Sequence, residues 1–313
     1  MAILISYTLI FAAILLLVAL GGCFSEHSGV INIGLEGIMV IGALGGALIM
    51  QVLSPELPAI FMILIVMVIS MLSGMIYSLL LAVAAINFSA DQTLVGTAMN
   101  MLATAGATVI VRAINSAADA SNVSSALRYG KQKDAFGFDI AGFSFNWFVV
   151  ITVIILIAAN IVLYKTKFGL RLRACGEHPQ AADSVGINVY LMRYAGVLIS
   201  GALGGLGGIV YITTGVSEWK FEYGVAGFGF LALAVMIFGQ WKPTRIALAA
   251  LLFGLLRSLS NVYVAFDSLV SLGIPSYVYN MMPYIVSLVV LALTSGKSRA
   301  PKAEGIPYDK SMR

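Results

Sequence analysis

Charge is the scarcest thing in this chain. Only 10% of its 313 residues are Asp, Glu, Lys or Arg, against about 25% in ordinary soluble domains. There are two histidines, His27 and His178, which excludes a histidine-rich metal cluster. The two cysteines, Cys23 and Cys175, stand far apart with no Cys-x-x-Cys pair, so neither a disulfide framework nor a thiolate metal site is implied. A nucleotide-binding loop is missing as well. The run LTSGKSR (293–299) ends like one, but the glycine required five residues before Gly296 is Leu291, and no strand precedes it. The N-terminal apolar run has no basic segment before it, so it reads as a retained span and not a cleaved signal.

Apolar sequence is abundant. Hydrophobic residues make up 60% of the chain, and the mean hydropathy is +0.98. No soluble core of this size hides so much, so the bilayer is the solvent for most of it. A helix needs about 20 apolar residues to cross. The segments that qualify or nearly qualify are 4–24, 35–53, 58–88, 93–114, 146–164, 194–213, 226–239, 246–264 and 279–295. The fold class is therefore all-α: a polytopic helical membrane protein of about eight to ten transmembrane helices, one domain over 1–313. Segment 58–88 is too long for one upright span and too short for two, and 226–239 is short and glycine-flanked, as a partial or broken helix would be.

Charge is placed unevenly. Residues 165–193 hold Lys165, Lys167, Arg171, Arg173 and Arg193 against Glu177 and Asp183. The tail, 296–313, holds Lys297, Arg299, Lys302, Lys310 and Arg313 against Glu304 and Asp309. The positive-inside rule puts both in the cytoplasm, and the four spans between them agree. The balanced stretch 115–143 then lies outside, and nine spans would put the N-terminus outside.

Within the apolar sequence, SEHSGVINIGLEGIM (25–39) mixes Glu26, His27, Asn32 and Glu36 with Gly29, Gly34 and Gly37. Glycines in this density predict a broken helix, and at membrane depth a break must face protein or an aqueous cavity. Transporters use such breaks to build polar sites near the midplane. A short echo, Gly224-Val225 with Gly229 against Gly29-Val30 with Gly34, hints at a repeat between the halves. Ionisable groups inside the membrane are functional-site hypotheses, and Glu36 and Arg257 are the foremost ones. Glu36 suits a hydrogen bond to cargo, a cap on the adjacent half-helix, or a pair with Arg257. Asn100 suits cargo contact or an inter-helix bond equally. Phe228, Phe230 and Trp219 are aromatic groups for stacking, Trp219 also fitting an interfacial belt. The candidate substrate path is Asn32, Glu36, Asn100 and Phe228. The glycines of SGALGGLGGI (200–209) read as helix packing, not as a dinucleotide fingerprint.

In the cytoplasmic loop, Gly176 is read as ending the preceding structure, Pro179 as opening a short helix over PQAADSV, and Gly186 as closing it. Ala181, Ala182, Val185 and Ile187 give that helix a small apolar face. From the residues alone it fits a groove on a partner protein or the membrane surface.

The run GVINIGLEGIMVIGALGGAL resembles the N-terminal motif of permease subunits in ATP-binding-cassette importers of the nucleoside and simple-sugar branch. FGLRLRACGEHPQAADSVGINV followed by SGALGGLGGI is similar to that family's coupling region, and GFGFLALAVMIFGQWKP (227–243) to its third signature. Sugar permeases tend to carry an Asp-Leu-Ser pattern where this chain reads Asn32-Ile33-Gly34-Leu35-Glu36-Gly37. That wording resembles permeases working with basic-membrane-protein-type lipoproteins, whose best-attested cargo is purine nucleosides.

The resemblance implies the shorter permease of a pair in a bacterial cytoplasmic membrane, moving nucleosides inward by alternating access. A longer second permease would complete the pore, and an extracytoplasmic lipoprotein would deliver cargo. A cytoplasmic ATPase would dock at Gly176, Glu177, Pro179, Ala181, Ala182 and Gly186. ATP and magnesium would act in that ATPase, with no cofactor or metal on this chain, no catalytic residue of its own, and no nucleic acid among its partners. The rival readings are a permease for ribose or galactose and a self-contained secondary transporter.

Overall fold

The computed structural model describes residues 2–140, 143–214, 218–271, 273–294 and 299–310; the tail cations Lys297 and Arg313 lie outside them. The helices are α1 (Ala2–His27), α2 (Leu35–Val52), α3 (Ala59–Ala82, extended by a π-helical turn Val83–Asn87), α4 (Gln92–Ala118), α5 (Trp147–Lys165), α6 (Lys167–Glu177) and α7 (Pro179–Ser184). There follow α8 (Val189–Thr213), α9 (Phe228–Phe238), α10 (Pro243–Val262), α11 (Asp267–Val270) and α12 (Ser276–Thr294). Eight helical segments among the described residues are long and apolar enough to cross a membrane. The ninth segment read in the sequence, 279–295, falls in α12, where not every side chain is described. The 58–88 segment is one 29-residue helix, Ala59–Asn87, about 43 Å long at 1.5 Å per residue, so it exceeds the hydrocarbon thickness and must tilt or project.

Helix α8 is the centre. Lipid tails give apolar helices no hydrophobic reason to associate, so close backbone packing must hold them. The glycines of α8 permit it. A Cβ on Gly42 of α2 would lie 2.2 Å from Gly205 Cα, and one on Gly74 of α3 would lie 2.3 Å from Gly201 O. The same contacts give directions. Gly42 and Gly46 meet Gly205 and Ile209, so α2 runs parallel to α8. Gly21 and Val18 of α1 meet Ser200 and Gly207, so α1 runs against it. Helix α10 packs along α1, with Gly254 against Ala12 and Ser258 Oγ donating to Leu4 O (3.0 Å). Asn188 caps α8 by accepting from Leu191 N–H (3.0 Å), and Asp91 caps α4 in the same way through Leu94 N–H (2.9 Å).

Beyond the far end of α8, four short strands make two antiparallel pairs. β1 (Ala126–Arg128) pairs with β4 (Glu218–Lys220), and β2 (Gly137–Ile140) with β3 (Phe143–Asn146). The polar stretch 115–143 is thus partly strand, an organisation that three- and four-residue strands are too short to announce. Tyr129 fastens it down, its hydroxyl donating to Ile212 O at the end of α8.

Candidate functional site

Two helix breaks meet at one carboxylate. The first is the loop 28–34 between α1 and α2, where Ser28, Gly29, Val30, Asn32 and Gly34 are buried. It lies about half-way along α8, since Asn32 reaches Ser200 and Ile38 packs on Gly204. Backbone groups freed at that depth need partners inside the protein, and side chains of neighbouring helices supply them. Ile31 N–H donates to Gln92 Oε1 (2.7 Å), and Ser25 Oγ donates to Val30 O (2.7 Å). Asn100 uses both ends of its amide, donating to Ile33 O (3.0 Å) and accepting from Gly37 N–H (2.8 Å). Asn32 Nδ2 donates to Ser200 Oγ (2.8 Å).

The second break precedes α9. After β4 the chain passes through a short turn, Phe221–Tyr223, and then Gly224, Ala226 and Gly227 at φ +55°, +53° and +79°. Helix α9 itself has 11 residues, about 16 Å of length. It runs alongside α1 in the same direction, with Phe228 on Phe11 and Met236 on Gly22. It therefore leaves the break opposite to α2. Its C-terminal end is pinned to α1, where Trp241 Nε1 donates to the Glu26 carboxylate and Cys23 Sγ donates to Trp241 O (3.3 Å).

Glu36, in the first turn of α2, sits between these helix ends. Its Oε1 accepts from Gly227 N–H (2.8 Å) and its Oε2 from Gly229 N–H (2.7 Å). Gly229 packs so tightly that a Cβ there would lie 2.4 Å from Glu36 N. Free N–H groups at the start of α9 thus converge on one built-in anion, which also sits at the positive dipole end of α2.

A groove of about 730 Å³ opens beside this junction, within the size range of small-molecule sites. Glu36 and Asn100 lie at its floor, Thr97, Met101, Thr104 and Thr108 line its α4 side, and Glu222 and Phe230 face them. At its rim Arg112 pairs with Glu222 (3.3 Å), both well exposed.

At the end where α1 finishes and α8 starts, α6 and α7 form an elbow. Leu172 and Cys175 of α6 are buried, and burial pushes the Cys175 thiol up to about 11. Pro179 opens α7, and Gly186 beyond it adopts φ +84°. Ala182 packs inward, while Ala181 and Val185 point away from the bundle, Val185 being 75% exposed.

Residues 4–294 match the family described as branched-chain amino acid transport system / permease component. The chain belongs to this permease family. The permease is 43% identical over its whole length to the guanosine ABC transporter permease protein NupQ of Bacillus subtilis (strain 168), covering 98% of that protein. It is 39% identical over 99% of its length to the nucleoside ABC transporter permease protein NupC of Lactococcus lactis subsp. cremoris (strain MG1363), covering 97% of it. Identity is 27% to the putative glucose ABC transporter permease protein TsgC13 of Haloferax volcanii, over 90% of the chain and 88% of the relative. No solved structure matches.

Of the residues singled out in the sequence, the permease brings Glu36 and Asn100 together at the groove and keeps Asn32 behind them, fully buried. Phe228 is also fully buried, packed on Tyr211 (4.5 Å between ring centroids), so Phe230, 48% exposed, is the ring at the groove. Arg257 makes no ion pair with Glu36; its guanidinium lies 5.4 Å over the Phe228 ring. Trp219 donates to Gly224 O (2.9 Å) and so belongs to the second break. Gly176 requires a correction. It is the penultimate residue of α6, which ends at Glu177 with His178 as its cap, and glycine is needed there for close approach, since a Cβ would sit 2.4 Å from His27 O. Gln92, Ser200 and the three threonines were not anticipated. Thr97, Asn100, Thr104 and Thr108 do recur at spacings of 3, 4 and 4, a polar stripe on one helical face.

Proposed function

We propose that this permease is the pore-forming subunit of an ATP-driven nucleoside importer, its whole chain acting as one transmembrane domain. The observation that carries the reading is the acceptor character of the groove, alongside the full-length similarity to permeases named for guanosine and nucleosides. Thr97, Thr104 and Thr108 donate their hydroxyl protons to carbonyls of their own helix, at Thr93 (2.8 Å), Asn100 (3.2 Å) and Thr104 (2.7 Å). They therefore turn lone pairs toward the groove, where Glu36 and Glu222 add carboxylates. A ribose and an amino-bearing base are rich in donors, and Phe230 offers a ring face for the base. A free sugar would use the acceptors but not the ring, and the putative glucose permease TsgC13 is 27% identical against 43% and 39% for NupQ and NupC.

A longer second permease completes the pore, an extracytoplasmic lipoprotein delivers cargo, and an ATPase docks on α7. ATP and magnesium act in that ATPase. The end bearing α6, α7 and the tail faces the cytoplasm, where its basic residues belong. Asn32, Glu36, Asn100 and Gln92 hold the breaks in place, and the groove beside them is the cargo path. Labelled guanosine uptake by the whole assembly, competed by nucleosides, bases and free sugars, tests the cargo. Strong competition by ribose with none by nucleosides would overturn it. Uptake surviving deletion of 176–187 and removal of the ATPase would point to a secondary transporter.

A further inference from the structure

Residues 299–310 are built into the bundle and do not merely trail from it. Ala303 N–H donates to Gly176 O (2.8 Å), and Gly305 N–H to Gly29 O (3.2 Å). Pro301, Ala303 and Tyr308 are buried. The Tyr308 ring stands edge-on to Tyr190, 5.4 Å between centroids, with the Arg193 guanidinium 6.0 Å away. One stretch of chain therefore touches the coupling elbow at Gly176, the first helix break at Gly29 and the start of α8. Next to it, a cavity of about 240 Å³ is walled by Asp183 of α7, by Gly186 and Ile187 beyond it, and by Tyr308 and Lys310 of the tail.

The seat holds groups that favour its opening. Arg193 is 1% exposed, and among the described residues none of its three guanidinium nitrogens has a hydrogen-bond partner. Burying a cation in that state is costly, and contact with an aromatic face offsets only part of it. Glu304 Oε2 is likewise buried without a partner among the described residues, close to Glu26. Lifting the tail would hydrate both groups, offsetting part of the apolar contact and the two backbone bonds it gives up.

We propose that residues 300–310 are the second half of the coupling element: the ATPase engages the tail together with α7, and the tail carries α7 displacement to the helix break at Gly29. This rests on the reading of α7 as the ATPase contact. The test uses the complete assembly in membranes, with three permease variants: a chain ending at Arg299, Tyr308→Ala, and Val185→Asp on the outward side of α7. Insertion, ATPase co-purification and cargo uptake per ATP hydrolysed are measured for each. Val185→Asp is expected to release the ATPase. The truncation and Tyr308→Ala are expected to lower uptake per ATP about tenfold, within the roughly 5–150-fold span of site–site coupling. Tyr308→Ala keeps the test decisive if the truncated chain fails to insert. Wild-type uptake per ATP in Tyr308→Ala, with the ATPase lost from Val185→Asp, overturns the role of the tail alone. ATPase retained by Val185→Asp overturns the α7 reading and the composite element with it.

Discussion

Replacing Glu36 with Gln is expected to loosen the junction of α2 and α9 while leaving its shape almost unchanged. The carboxylate accepts from Gly227 and Gly229 at 2.8 and 2.7 Å. A Gln amide presents one oxygen and one NH₂, so one of these N–H groups would face a donor. Losing a hydrogen bond to a charged group costs about 1.5–3 kcal/mol, and a buried N–H left unpaired costs a similar amount that partly overlaps it. Removing the charge from two helix N-termini adds roughly 0.3–1 kcal/mol for each. A total near 3 kcal/mol follows. At about 2 °C per kcal/mol for a chain of this size, the unfolding midpoint should drop by roughly 6 °C. The assay is thermal unfolding of the purified assembly in detergent, run beside nucleoside uptake in membranes. An unchanged midpoint with abolished uptake would falsify the tie and assign the carboxylate to cargo. A lowered midpoint with uptake falling in proportion to folded protein supports the tie.

Three further outcomes follow from the same geometry. Asn100→Leu strands Ile33 O and Gly37 N–H together and should cost about 2–4 kcal/mol, read as a lower midpoint, whereas Thr104→Val should spare the midpoint and weaken uptake. Gly42→Leu places its Cβ 2.2 Å from Gly205 Cα and should abolish recovery of monodisperse protein, overpacking being least tolerated where backbones touch. Burial pushes the Glu304 carboxyl from its usual value up to about 7. The folded tail therefore binds that proton more tightly than the free tail, and its seating should weaken as pH rises from about 4.5 through 7. Glu304→Gln should remove this dependence, measured as protease cleavage of the tail between pH 5 and 8.

What could be read from the chain was local. Apolar runs located the spans, Gly29, Gly34 and the short 226–239 segment marked both breaks, and Pro179 with Gly186 bounded α7. The echo between Gly29-Val30 and Gly224-Val225 extends to local conformation, since both glycines take positive φ and both valines are fully buried. The partners of Glu36 lie 191 and 193 residues away, and no periodicity encodes a contact of that range. The tail was legible only as charge, because its seat depends on two backbone hydrogen bonds that any sequence can make. Gly176 reads as a helix breaker because a glycine needed for close approach looks, in sequence, the same as one needed for a turn.

The meeting of α2 and α9 also has a mechanical meaning. Each helix is a stiff rod tied along its length by its own hydrogen bonds, 18 residues in one and 11 in the other. The two rods leave their meeting point in opposite directions, and the N–H bonds recorded across it both end on one side chain. A push on either rod is therefore passed to the other through Glu36, beside the groove.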